Sequence, residues 1–257
     1  MTSTVLLGWA VVAAIMTVLW ARQLRTRDAT SVDVAWALCL GGLVVLYALR
    51  HDGDPARRAL VAGLVLFWAL RLAGHLFLHR VRAGSTEDGR YRAMRDHWGA
   101  RAPLWFFVVY QVQAFAAVLM SLPPLGALEG GPLDGWAFAG VALWLVAVAG
   151  EGLADRQLAR FRADPANRGR TCRAGLWRYS RHPNYFFEWV QWWAYVLVGK
   201  GAALTWLGPV LMLLFLYRVT GIPWTERQAL KSRGDDYRRY QETTSAFFPW
   251  FPKEDDR

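Results

Sequence analysis

Apolar residues in this chain come in long, nearly unbroken runs instead of recurring at the spacing of a half-buried helix or strand. The runs lie near 4–21, 31–49, 59–78, 104–122, 135–154, 184–199 and 202–219. About 20 apolar residues cross roughly 30 Å of hydrocarbon as a helix. The pattern therefore predicts an all-α bundle of seven transmembrane helices. It predicts one membrane domain over residues 1–257, with the polar stretch 220–257 forming short helices and a tail packed on it. The first run, "TVLLGWAVVAAIMTVLWA", has no basic segment before it and no small-residue cleavage pattern after it, which predicts a retained helix.

Charge orients these runs. Connections 21–30, 79–102 and 156–181 and the tail from 218 hold 25 of the 30 Lys and Arg, whereas the alternate connections hold 4. By the positive-inside rule this alternation predicts an N-terminus outside, a C-terminus in the cytoplasm, and residence in the inner (plasma) membrane. The formal net charge of +10 would otherwise invite a nucleic-acid reading. Topology already places those charges, and no basic stretch is interleaved with aromatics on a soluble module, so nucleic acid is not an expected partner. Cys39 and Cys172 fall in unlike surroundings and predict neither a disulfide nor a metal site.

Ionisable groups are expensive in hydrocarbon and face the bundle interior where they occur. Asp33 enters the second run in "SVDVAW". Arg71, His75 and His79 recur every four residues, on one helix face of the third run. Tyr110, Gln111 and Gln113 mark the fourth run, and Glu151 and Asp155 end the fifth. Asn184, Glu188, Gln191 and Tyr195 form a polar stripe on the sixth. Each alone reads equally well as structural. Together they describe a polar cavity open on the arginine-rich side.

Residues 156–181 hold eight arginines, and Pro183 at a first helical position leaves backbone N–H groups facing them. Guanidinium forks beside a helix start suit phosphate or pyrophosphate. No glycine-rich dinucleotide fingerprint or Walker sequence occurs, so a nucleotide would be held by a different kind of fold. His182, followed by proline, reads as a cap or headgroup contact before it reads as a general acid. His75 and His79 lack a third partner at metal-ligand spacing, so no metal is expected.

The stretches "GLWRYSRHPNYFFEWVQWWAYVL", "RVTGIPWTERQAL" and "YRRYQETTSAFFPW" resemble the bacterial branch of the steroid 5α-reductase-like membrane proteins. "SVDVAWAL", "ALRLAGHLFLHR" and "EDGRYRAMRDHWG" are similar to that branch's N-terminal half. The resemblance implies an NADPH-dependent oxidoreductase that reduces a conjugated carbon–carbon double bond (an enone) in a steroid-like or other lipidic substrate. It places Asp155, Arg162, Arg170, Asn184, Glu188, Trp192 and Arg218 with the cofactor, and Arg181, Glu226 and Tyr237 are further candidates for the same site. Asp33 falls near an acidic carbonyl-contacting residue, and Arg71 and His75 near third-helix site residues. A tyrosine of that third-helix site is replaced by Trp68, which leaves the proton donor and the substrate open.

Under this reading hydride passes from nicotinamide to the β-carbon while the group around Asp33, Arg71 and His75 stabilises the enolate oxygen. Burial favours a protonated Asp33 that donates a hydrogen bond to that oxygen. Arg162, Arg170 and Arg173 are candidates for a 2′-phosphate. Substrate and membrane lipids are the expected partners, with no obligate protein partner. The Arg-His-Pro-x-Tyr core is also shared with S-adenosylmethionine-dependent isoprenylcysteine and phospholipid methyltransferases. Those usually carry an adjacent glutamate pair, where "WTERQAL" has the single Glu226. A third reading is a lipid-binding membrane protein without catalysis.

Overall fold

The computed structural model describes residues 1–82, 87–219 and 221–253, and every regular element among them is helical. The chain forms two compact units: residues 1–133 with 202–205, and residues 134–201 with 206–257.

The first unit holds α1 (Thr2–Thr26), α2 (Ser31–Arg50), α3 (Pro55–Leu76), α4 (Gly89–Trp98) and α5 (Ala102–Ala127). α2 packs on α3 and α5, and α1 packs on α5. Apolar burial does not drive helices together in lipid, so small residues that permit close approach do much of the work. A Cβ added to Gly41 would sit 2.8 Å from Cβ of Ala69 on α3. Asp54 caps α3 by accepting from Arg57 N (2.9 Å), and Pro55 fills the first helical position. The Arg57 side chain is wholly buried and donates to the carbonyls of Gly131 and Pro132. α3 ends in a π-helical stretch, Phe77–Arg82.

The second unit holds α6 (Gly135–Ala163), α7 (Pro183–Val198), α8 (Leu207–Leu214), α9 (Ile222–Arg233) and α10 (Asp235–Thr243). α6 and α7 pair antiparallel. A Cβ on Gly140 would lie 2.6 Å from Cγ2 of Val198 and 2.8 Å from the Ala194 carbonyl, and one on Gly150 would strike the Phe187 ring. α8 runs into a second π-helical stretch, Phe215–Val219, and the polar tail then forms α9 and α10.

Helices outrun the apolar runs that predict them. α1 continues to Thr26, where Arg27 takes a left-handed conformation (φ 55°) and its N–H closes on Gln23 O. α5 passes through Pro123 and Pro124 to Ala127, with the Ser121 hydroxyl bonded to the Val118 carbonyl (2.7 Å). Hydropathy marks the hydrocarbon boundary, whereas capping and backbone pairing mark the helix end. Among the described residues six helices are long and apolar enough to cross a membrane. The remaining apolar helix, α7, has 16 residues, about 24 Å by helical rise, which falls short of the hydrocarbon thickness.

Candidate functional site

In the second unit the loop before α7 is sewn to the chain's C-terminal region. The Ser180 hydroxyl donates to Phe247 O (2.8 Å), and the Tyr240 hydroxyl to Ser180 O (3.1 Å). The Arg181 N–H donates to Ser245 O (2.9 Å). The Arg181 guanidinium donates to Glu226 Oε1 (2.7 Å) and to the carbonyls of Gln241 (3.0 Å) and Thr244 (2.6 Å). Buried His182 stacks on Tyr185 and places Nε2 3.3 Å from the same Oε1. Gln241 donates to Oε2 (2.9 Å), and the Tyr237 hydroxyl reaches Oε1 at 3.5 Å. Burial would raise the Glu226 carboxyl, but hydrogen bonds from His182 and Arg181, the Arg181 charge and Gln241 outweigh it and hold it at about 2. Arg181, Glu226 and Tyr237 thus converge, and the Arg181 guanidinium is engaged by the protein itself.

The polar stripe of α7 meets α6. Asn184 Nδ2 donates to Asp155 Oδ1 at 3.2 Å, which joins two of the predicted cofactor residues. Glu188, one turn further, is half-buried, and Gln191, Trp192 and Tyr195 are buried. Along α6, Asp155, Leu158 and Arg162 fall at i, i+3 and i+7 and share one face.

That face leads to a cavity of about 490 Å³, lined in part by Leu158, Arg162, Arg168, Arg170, Cys172 and Arg233. Its loop is held from several sides. Asp164 Oδ1 accepts from Ala166 N (2.9 Å), and Asn167 Nδ2 donates to Phe161 O (3.0 Å). Thr171 N donates to Asp236 Oδ2 (2.6 Å), and Gly169 turns the chain at φ 77°. Burial raises the Cys172 thiol, against a hydrogen bond from the backbone and the nearby positive charges of Arg162 and Arg233. Arg173 is paired outside the cavity, with Asp236 Oδ1 at 3.1 Å. Arg218, on the π-helical stretch, is exposed and does not line the cavity.

In the first unit, Asp33 stands at the start of α2 as an acceptor. Arg90 Nη2 (2.6 Å) and Arg80 Nη1 (3.2 Å) donate to Oδ2, and the Tyr91 hydroxyl (2.6 Å) donates to Oδ1. The hydrogen-bond donor expected at Asp33 is therefore an acceptor in this arrangement, because two cations share its carboxylate. Asp88 caps α4 through Arg90 N (2.9 Å). Burial would raise its carboxyl, and the hydrogen bonds and charge of Arg90 lower it below the usual range. Glu87 accepts both arms of Arg95 (2.7 and 3.1 Å) together with Ala29 N (2.9 Å), which ties α4 to the α1–α2 turn. Arg71 is half-buried on α3, and the exposed His75 lies with its ring centroid 4.5 Å from that of His79. Among the described residues no three His, Cys, Asp or Glu are grouped to hold a metal.

Sequence reasoning did not select Tyr91, Arg80 or Arg90 for the Asp33 cluster, Gln241 for the Glu226 cluster, or Arg168 and Arg233 for the cavity. Spacing carries no signal for them: Tyr91 is 58 residues from Asp33, and Arg181 is 45 from Glu226.

Six apolar helices among the described residues, with charged clusters collected at helix ends and in the connecting loops, define the class, a helical multi-pass membrane protein. The chain belongs to a family described as "Protein of unknown function (DUF1295)", whose model matches residues 19–244 and which includes steroid 5α-reductase-like proteins. It is similar to "Uncharacterized protein C594.04c" of Schizosaccharomyces pombe, 25% identical over an alignment 270 positions long that covers 90% of this chain and 76% of that protein. No solved structure matches the chain.

Proposed function

We propose that the protein is a membrane-embedded, NADPH-dependent reductase of a conjugated double bond in a lipidic substrate. The observation that carries this reading is the continuous face of α6. It bears Asp155, hydrogen-bonded to Asn184, and about 10 Å further along the helix Arg162, in the arginine-lined cavity. Amide and carboxylate groups at one end suit a carboxamide and ribose hydroxyls, and guanidiniums at the other suit phosphate. Asn184, Glu188 and Asp155 would orient the cofactor. NADPH would supply hydride, and the protein would supply binding and exclusion of water.

In this reading all seven apolar segments cross the bilayer, α7 included, with the N-terminus outside and the arginine-rich connections in the cytoplasm of a cell with this protein in its plasma membrane. α7 is short for a crossing, but Gly140 and Gly150 hold it tightly against α6, a longer helix that supplies the full span. Asp33, Arg71 and His75 would face the substrate carbonyl. Arg80 and Arg90, which Asp33 and Asp88 hold in place, would supply the donors for a developing oxyanion there.

Mass spectrometry of the small molecule retained after mild detergent purification tests the reading. NADP(H) is the expected species. S-adenosylmethionine or its demethylated product would replace the reductase with a methyltransferase, and a preparation that binds neither would favour a non-catalytic lipid-binding protein.

A further inference from the structure

The cavity at the end of α6 contains more positive charge than the family resemblance assigns to it. Arg162 comes from α6, Arg168 and Arg170 from the pinned loop, and Arg233 from the last residue of α9, next to Ser232. Among the described residues none of these four guanidiniums takes part in a salt bridge. The one carboxylate on the rim, Asp164, has an oxygen committed to Ala166 N. Arg173, which the sequence places with Arg162 and Arg170, is instead neutralised by Asp236.

We propose that this cavity is a binding site for a phosphate monoester and that Arg168 and Arg233 are the residues that select it. Charge count is the first argument. Four guanidiniums against one carboxylate leave about three uncompensated positive charges, which a monoester bearing −1.5 to −2 at pH 7 offsets better than a carboxylate or a phosphodiester. Geometry is the second. Three separate segments each present a planar fork to one cavity, and three terminal oxygens of a monoester accept from several forks at once. Rigidity is the third: the Asp164, Asn167 and Thr171 hydrogen bonds fix the loop before any ligand arrives, which reduces the ordering cost of binding.

Two sources present this chemistry: the 2′-phosphate of a dinucleotide, and the headgroup of a monoester lipid. In its nucleotide form the inference rests on the reductase reading and would make Arg233 a determinant of NADPH over NADH.

The test uses the full-length protein in nanodiscs and measures binding of 2′,5′-ADP in solution and, separately, of phosphatidic acid against a phosphatidylcholine background. Arg168→Gln and Arg233→Gln are each compared with wild type. Arg168 is exposed on the loop, so its variant remains informative if loss of the Arg233 contact with the Tyr237 ring disturbs folding. The expected result is saturable 2′,5′-ADP binding that either substitution weakens roughly tenfold or more. Arginine-dependent binding of phosphatidic acid without 2′,5′-ADP binding would support the site and overturn its nucleotide form. Binding of neither probe, or of both equally in wild type and variants, would overturn the inference. NADPH binding unchanged in both variants would overturn the nucleotide form while leaving the reductase reading in place.

Discussion

At Glu226 one carboxylate accepts from Arg181, His182 and Gln241, with side-chain exposures of 11% for Arg181 and 16% for Glu226. Its carboxyl sits at about 2 in the folded protein, against 4.5 unperturbed. A depressed folded value stabilises the protein above the unfolded value, and that contribution is lost as pH falls from about 4.5 through about 2, on the order of 3 kcal/mol at most. Glu226→Gln is predicted to cost about 2–3 kcal/mol at neutral pH, since it leaves the buried Arg181 charge without its partner. The gap from wild type should narrow as pH falls from about 4.5 toward about 2 in detergent unfolding experiments, and a constant gap would contradict the pairing. In the first unit, Asp33→Asn removes one of the two carboxylates that Arg80 and Arg90 share, the other being Asp88, and is predicted to lower stability by about 1–3 kcal/mol. Tyr91→Phe, which removes one hydrogen bond, should cost about 1 kcal/mol by the same measurement. Residue types were legible in the sequence at both clusters, but partners were not. Arg181 reads as an anion contact until Glu226, far along the chain, is seen beside it.

Among elements, the α6–α7 pair positions the proposed cofactor groups, and small residues set its distance. Gly140→Val would press a side chain into Val198 and the Ala194 carbonyl. It is predicted to lower stability by about 1–3 kcal/mol and to weaken NADPH binding by displacing Asn184 from Asp155. Gly152→Ala on the same helix, where an added Cβ meets nothing within 4 Å, should leave thermal stability and binding unchanged. Loss in both variants would mean that α6 tolerates no substitution for reasons other than this contact. The existence and order of the apolar helices follow from hydropathy alone. Their ends do not, because a cap such as Arg27 or a pinned proline pair is a local backbone event that leaves the apolar pattern unchanged. The two π-helical stretches likewise have no sequence period to reveal them.

For the whole molecule, the charge bias predicts that reporter fusions after residues 101, 173 and 253 are cytoplasmic and that fusions after 53 and 131 are outside. Identical sidedness for fusions at 173 and in the 199–201 turn would show that α7 does not cross. The central claim, hydride transfer supported by NADPH, is tested most directly by titrating the purified protein in nanodiscs with NADPH and, in parallel, with S-adenosylmethionine, monitored by calorimetry. NADPH should bind saturably, with affinity reduced at least tenfold by Asn184→Ala and by Glu188→Gln. Saturable S-adenosylmethionine binding with none for NADPH would contradict the account.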